Sequence, residues 1–287
     1  MNTSDKLFSS LQPPRPSQDR ARRSGSFLRR LDRRFPWLKL ACVLAVGLVA
    51  LLDLCDITIS QTGERQAFAT VAPMVHHVRA TKRNLDGKML VALTFDDGPS
   101  AETTPALLDT LYKEDVPATF FMLGSRAAAS PDLVKRIASA GHEVASHTMY
   151  HQNLIRLPAS AAASDVDEAK TVFTNILGSA PALTRPPYGN TNNTVSGIID
   201  TPLIMWSVDT LDWQSKDSAA ILATALAQVH DGAIILMHDI HPTSVEAVPA
   251  LITSLRDAGY EFATVSELAK IRGVTLSSGT VYYNFRP

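Results

Sequence analysis

The sequence predicts an α/β protein: an incomplete or distorted (β/α) barrel of about seven parallel strands, preceded by a single transmembrane helix. Three observations predict it. From residue 89 onward short apolar runs alternate with helix-like segments, the pattern of parallel strands joined by crossover helices. Several of those segments close on glycine, as helix C-termini tend to. Near the N-terminus one long apolar segment stands apart, behind an arginine-rich leader.

The leader comes first. Residues 1–34 are polar and arginine-rich, carry Pro13, Pro14 and Pro16 and show no sustained apolar period, so they are expected to be disordered. Residues 1–39 hold 10 Lys/Arg against 3 Asp/Glu, and the rest of the chain 17 against 25. The formal net charge of -1 therefore hides a basic leader and an acidic remainder. The uninterrupted apolar core 40–52 is short for a membrane span, but the wider segment 35–54 is 20 residues, about 30 Å as a helix, and Lys39 can snorkel. Directly after the core come Asp53-Leu54-Cys55-Asp56, with no small-residue cleavage pattern before Ala67-Phe68-Ala69. An uncleaved signal-anchor over 35–55 is expected, its arginines cytoplasmic and the bulk of the chain outside the cell membrane; secretion after signal cleavage is the alternative. Cys42 and Cys55, the only cysteines, lie 13 positions apart, roughly 20 Å along a helix, too far to bridge. Redox chemistry is thereby set aside. Residues 56–88 read as a stem, with His76 and His77 as exposed loop residues.

Strands are expected at 89–95, 118–123, 143–146, 182–184, 203–208, 233–237 and 261–264. Helices are expected in "TTPALLDTLYKED", "PDLVKRIASAG", "DVDEAKTVFTNILG", "DSAAILATALAQVHDG" and "TSVEAVPALITSLRDAG". The catalytic-type domain is placed at 89–271 and residues 272–287 are taken as a tail.

Chemistry collects where these strands end. Asp96 and Asp97 follow the first strand; His147, Arg185, Asp209 with Asp212, and His238 follow later ones. Strand C-termini are where a parallel barrel builds its sites. "SHTMYHQN" gives His147-x-x-x-His151, a spacing that on a helical turn puts two imidazoles on one metal. His147 is followed by Thr148 and not Glu, so the carboxylate ligand and the base must come from elsewhere. The adjacent aspartates can supply both, one holding the metal and its neighbour acting as base, with the Gly98-Pro99 turn letting both reach one side. Across the rim His238 in "IILMHDIH" is placed to protonate a leaving amine, with Asp212 in "DTLDW" as the carboxylate keeping its imidazolium available. Trp213 alone reads as packing. His142, His230 and His241 are read as structural, His241 with its position near the site noted. The acidic soluble part has no long basic groove, which argues against nucleic acid.

"TFDDGP", "HTMYH", "RPPYG", "DTLDW" and "LMHDIH", in this order over residues 89–271, resemble the five motifs of the carbohydrate esterase family 4 (NodB-homology) polysaccharide deacetylases. The stretch from "VDTLDW" to "LMHDIHPTSVEAVPALI" is most like the peptidoglycan N-acetylglucosamine deacetylases. The resemblance implies Asp96 as base; Asp97, His147 and His151 as metal ligands; Arg185 as the residue that positions the base; and the Tyr188 backbone N–H as an oxyanion donor. It further implies Asp212 orienting the acid His238, and Trp213, Leu236 and Pro187 around the acetate pocket. Thr148 stands where the family often has Ser. The implied cofactor is one divalent metal, Zn²⁺ first, with Co²⁺, Ni²⁺ or Mn²⁺ as alternatives. The implied reaction is hydrolytic N-deacetylation of N-acetylglucosamine in a cell-envelope polysaccharide, with acetate released. Chitin oligomers, N-acetylmuramic acid and acetylxylan are the rival substrates, and a catalytically inactive, membrane-tethered glycan-binding module is the rival of a different class. The expected partners are the cell-wall glycan and the membrane, with no obligate protein partner.

Overall fold

A computed structural model describes residues 83–287. The basic leader, the expected membrane segment, both cysteines, His76 and His77 lie outside the described residues. Among the described residues no helix is long and apolar enough to cross a membrane.

In chain order the strands are β1 (Met89–Asp96), β2 (Thr119–Met122), β3 (Glu143–Ser146), β4 (Leu203–Ile204), β5 (Val208–Asp209), β6 (Ala233–His238), β7 (Tyr260–Phe262) and β8 (Val281–Tyr282). The helices are α1 (Thr104–Lys113), α2 (Gly124–Ala129), α3 (Pro131–Ser139), α4 (Ala159–Leu177), α5 (Asn193–Ile198), α6 (Asp212–Ser215), α7 (Ser218–Gln228), α8 (Pro242–Asp257) and α9 (Val265–Ile271).

β1 is the central strand. Along one edge it pairs in parallel with β6; it also pairs in parallel with β2 at its C-terminal half and β7 at its N-terminal half. β2 pairs with β3, Ser146 bridges Thr184, and Thr184 bridges Leu203 at the start of β4. After residues 205–207, β5 pairs with β6, again in parallel. The circuit thus returns to β1, giving a small, distorted, closed ring of parallel strands in place of an open sheet.

Strand residues alternate between two cores, as a period of two requires. Val91, Leu93 and Phe95 of β1 and Ile235 and Met237 of β6 pack outward against helix residues such as Leu107, Ile137 and Leu251. Leu90 and Ala92, Phe121, Ala145, Ile204 and Ile234 form a separate inner cluster. Because strands buried on both faces leave no polar side, these segments read as continuous apolar runs. By the same alternation Thr94 and Asp96 fall on the inner face, so the interior becomes polar toward the strands' C-terminal ends.

Three expected strands differ in detail. The segment 182–184 contributes only Thr184 to pairing; Pro181 before it and Pro186-Pro187 after it lack the N–H a ladder needs. The run 203–208 divides because it changes partners, the Met205 N–H going to the Tyr282 carbonyl and the Ser207 N–H to the Ile234 carbonyl. The last strand ends at Phe262, since Thr264 is already the N-cap of α9, in a capping box with Glu267.

The described residues on either side of 89–271, 83–88 and 272–287, also join the fold. Arg83 donates to the Phe262 carbonyl and pairs with Glu267, and Leu85 joins the inner cluster. β8 pairs with β4, and Phe285, 2% exposed, plugs the bottom of the ring. The Phe285 N–H donates to the Gly232 carbonyl at 2.8 Å. Gly232 sits at φ 82, where an added Cβ would lie 2.1 Å from the Phe285 carbonyl oxygen, so only glycine fits. The tail is therefore a structural part of the barrel, a closure invisible in a segment with so little apolar period.

Candidate active site

Asp96 ends β1 facing inward, and Asp97 should face away. It does not, because Asp97 leaves the strand with φ 70, a left-handed conformation that aspartate tolerates better than most residues. Asp97 Oδ1 lies 3.5 Å from His147 Nε2 and 3.4 Å from His151 Nε2, and Asp96 Oδ2 is 3.8 Å from His147 Nε2. The next residue, Gly98, is pressed against Asp239, whose carboxylate oxygens would stand 2.3 and 2.4 Å from a Cβ there. Asp239 is buried and its side chain bonds the Thr104 hydroxyl. Burial pushes its carboxyl up to about 7, against the lowering effect of that bond.

The spacing of His147 and His151 predicts a helical turn. They sit instead on an irregular loop after β3, with Thr148 at φ 71 and His151 at φ 58. The two rings still converge, their centroids 5.0 Å apart. Left-handed backbone, not helical periodicity, brings residues four apart onto one face. His147 Nδ1 lies 2.6 Å from the Arg185 carbonyl oxygen. A carbonyl only accepts, so Nδ1 carries the hydrogen and the Nε2 lone pair faces Asp97. Burial drives the His147 imidazolium down to about 3, leaving a neutral ring, the form that binds metals.

Arg185 is wholly buried. Its guanidinium donates to Asp96 Oδ1 at 2.5 Å, to Thr94 Oγ1, and to the carbonyls of Ile204 and Met205, while stacking 4.0 Å above the Phe121 ring. Burial raises the Asp96 carboxyl above its ordinary value, more than Arg185 and His238 pull it down.

On the opposite side, Asp212 at the start of α6 accepts from His238 Nδ1 at 2.8 Å, from the His238 and Trp213 backbone N–H groups, and from the Ser244 hydroxyl. Burial alone would lower the His238 imidazolium, yet the Asp212 hydrogen bond and charge, helped by Asp96 and Asp97, raise it to about 9. Asp212 is held below its ordinary value: burial opposes this, but His238 and Ser244 outweigh it.

Asp96, Asp97, His147, His151 and His238 open into one cavity of about 410 Å³, walled by Tyr188, Trp206, Trp213, Leu236 and Asp209. Tyr188 occupies a left-handed turn at φ 61 and lays its ring 4.6 Å from that of His151. Trp213 is half exposed, and Leu236 is buried at the floor. Pro187 is buried in the turn and does not line the cavity, which departs from its expected place in the pocket: its neighbour Tyr188 faces the opening. His142 is buried and accepts from the Ala118 N–H, and burial depresses it to about 4; His230 bonds its neighbour's carbonyl; His241 lies beside His238 with ring centroids 5.9 Å apart. Trp206, Ser244 and Thr94 are site residues that sequence reasoning missed. Trp206, in the break between β4 and β5, had a signal available: an aromatic residue at a strand's end.

The donor set suits a divalent cation. One atom from each of Asp97, His147 and His151 lies within 4.8 Å of the other two, and Asp97 Oδ1 is buried with no hydrogen-bond donor among the described residues to satisfy it. A lone carboxylate oxygen enclosed against two imidazoles is costly unless a cation compensates it. Two nitrogens and one oxygen match zinc and its neighbours in the first transition row.

A parallel α/β barrel with a candidate metal centre at its strand ends is the class that fold and site define. Comparison with known proteins makes it particular. Residues 83–200 match the polysaccharide deacetylase family. The chain is 38% identical over 233 residues to the peptidoglycan-N-acetylglucosamine deacetylase PgdA of Listeria monocytogenes, 81% of this chain and 48% of that protein. It is 36% identical to a peptidoglycan-N-acetylglucosamine deacetylase of Bacillus cereus, covering 69% of this chain and 78% of the relative. Among solved structures, a family 4 acetyl xylan esterase from Clostridium thermocellum in complex with a cobalt ion superposes with a TM-score of 0.65 at 32% identity, over 69% of this chain and 99% of that one. The chain belongs to the polysaccharide deacetylase family. It spans about half the length of the Listeria relative.

Proposed function

We propose that this chain is a metal-dependent deacetylase that hydrolyses the N-acetyl group of N-acetylglucosamine in a cell-envelope polysaccharide, peptidoglycan first among them, and releases acetate. The observation that carries the reading is the convergence of Asp97, His147 and His151 within 4.8 Å, with Arg185-held Asp96 on one flank and Asp212-held His238 on the other.

Asp97, His147 and His151 would hold the metal, zinc in the first instance and cobalt, nickel or manganese as alternatives. When bound, such a cation acts as a Lewis acid and lowers the pKa of water to about 7. Asp96 takes a proton from the attacking water, its basicity set by burial against the Arg185 charge. The water oxygen adds to the amide carbonyl carbon, and the Tyr188 N–H donates to the oxyanion that forms. His238, kept cationic by Asp212, gives its proton to the amide nitrogen. The C–N bond breaks, leaving acetate and a free amine. Trp213 and Leu236 exclude water from the methyl group. His147 takes no part in proton transfer, being neutral and fixed on the Arg185 carbonyl.

Residues 35–55 anchor the chain in the cell membrane with the N-terminus cytoplasmic, so that the barrel meets the wall outside; release after cleavage is the alternative. Sequencing the N-terminus of membrane-extracted protein separates the two, a start near residue 70 pointing to cleavage. The deacetylase reading is tested by acetate release from purified peptidoglycan, chitin oligomers and acetylxylan, with and without chelator. Peptidoglycan is expected to be the best substrate and chelator to abolish its turnover. Acetylxylan as the best substrate would instead favour the reading suggested by the esterase relative, and glycan binding without acetate release in metal-replete buffer would overturn catalysis.

A further inference from the structure

The loop between the two histidine ligands is held from outside the site. His147 needs little help: its N–H donates to the Met122 carbonyl and its ring to the Arg185 carbonyl. Among the described residues His151 lacks such ties, and its ring meets Asp97, His147 and Tyr188, all within the site itself. Its position depends on the backbone between them, where Thr148 is β-branched and yet at φ 71, a conformation that persists only when its surroundings enforce it.

Two of the enforcing bonds are made by backbone. The Gly124 and Ser125 N–H groups at the start of α2 donate to the carbonyls of Thr148 and Met149 at 2.9 and 3.1 Å. The Ser146 hydroxyl accepts the Thr148 N–H at 3.3 Å, and a further bond comes from a side chain sixteen residues away on α4. Asp165 Oδ1 accepts the Met149 N–H at 2.8 Å. Asp165 is 4% exposed, and its Oδ2 is buried without a hydrogen-bond partner among the described residues. An enclosed carboxylate with one oxygen unsatisfied is a costly way to pin a loop, and an apolar residue would pack there at less cost.

We propose that Asp165 is a positioning residue for the metal centre: through the Met149 N–H it fixes the left-handed loop that aims His151 at the site shared with Asp97 and His147. The proposal rests on the metal-binding reading of those three residues. Groups that orient a metal's ligands from behind typically change affinity by 10- to 100-fold when removed.

The test is zinc affinity of the full-length chain in detergent, freed of metal and titrated against a chromophoric chelator, with thermal unfolding measured in parallel. Asp165→Ala is expected to weaken zinc binding about 10- to 100-fold. Asp165→Asn, which keeps an oxygen acceptor for Met149, should stay within about threefold of wild type. Val166→Ala, which opens the same buried helix face, should lower the melting temperature without weakening zinc. In a His151→Ala background Asp165→Ala should have no further effect, because two residues acting through one ligand are not additive. Should Asp165→Ala not fold, Asp165→Glu, which keeps the charge but displaces the acceptor, is expected to give the same loss. Wild-type affinity in Asp165→Ala alongside weak binding in His151→Ala would overturn the role of Asp165, as would an equal loss in Val166→Ala. Undiminished binding in His151→Ala would overturn the metal reading itself, a result distinct from either.

Discussion

Asp212→Asn isolates the contribution of one carboxylate to the proposed acid. In the intact site His238 stands near 9 against an ordinary 6.5, a difference of about 3.4 kcal/mol at 1.36 kcal/mol per unit. Asparagine removes the charge but leaves the burial, which on its own lowers an imidazolium, so His238 should fall to about 6.5 or below. At pH 8 the protonated fraction then drops from about 0.9 to about 0.03, and kcat should fall about 30-fold or more. At pH 6 the wild-type ring is fully protonated and a variant ring at 6.5 about three-quarters so, and the loss should shrink toward the cost of disturbed geometry, less completely the further burial takes the variant below 6.5. A bound dication offsets the smaller contributions of Asp96 and Asp97, so the alkaline limb of the loaded wild type should lie at or below about 9. The same shift enters stability with a definite sign. A raised folded-state pKa stabilises fully below about 6.5 and is lost as pH rises through about 9, so the wild-type advantage over the variant should fade across that interval. Acetate release from pH 6 to 10, with urea unfolding at the same values, reads both. A wild-type-to-variant ratio that stays constant with pH, or an alkaline limb unmoved in Asp212→Asn, would refute the assignment.

Asp96→Asn should lower kcat by about 10²- to 10⁴-fold while leaving zinc content unchanged, as measured by acetate release and elemental analysis; near-normal turnover would show the base to lie elsewhere. Arg185→Met strips a buried cation from Asp96 and should cost about 3–5 kcal/mol in urea unfolding, with zinc affinity falling too if the side-chain change also shifts the carbonyl that His147 leans on. Phe285→Ala empties the bottom of the ring and should cost about 3–5 kcal/mol, where a true tail residue would cost almost nothing.

The sequence made the scaffold legible because the central strands are buried on both faces: the apolar runs around Leu93, Phe121 and Ile235 leave no other reading. The order of polar residues at the ends of those runs placed Asp96, His147, Arg185, Asp212 and His238 on one rim for the same reason. The illegible part depends on backbone sign and on distant partners. The Gly98-Pro99 turn promised both aspartates on one side, but nothing in "FDD" says that Asp97 itself will take φ 70 to get there, and the spacing of His147 and His151 points to a helix when the same convergence arises from a left-handed loop. The division of 203–208 and the return of Phe285 to Gly232 arise from pairings between segments far apart in sequence, and local pattern carries no trace of them. Ser244 and Thr94 escaped because a hydroxyl inside an apolar period looks like a tolerated substitution until its acceptor is known.

Arg185 meets the site through two different parts of itself. Its guanidinium grips Asp96 and its main-chain oxygen receives the hydrogen of His147. In the proposed mechanism cation loading and proton abstraction therefore share a single hinge point: a change of the side chain there frees Asp96 but keeps the main-chain oxygen, and only a change that also moves the backbone disturbs both. Drift at position 185 would thus loosen the grip on Asp96 first, and would loosen the hold on His147 only where the backbone gave way as well.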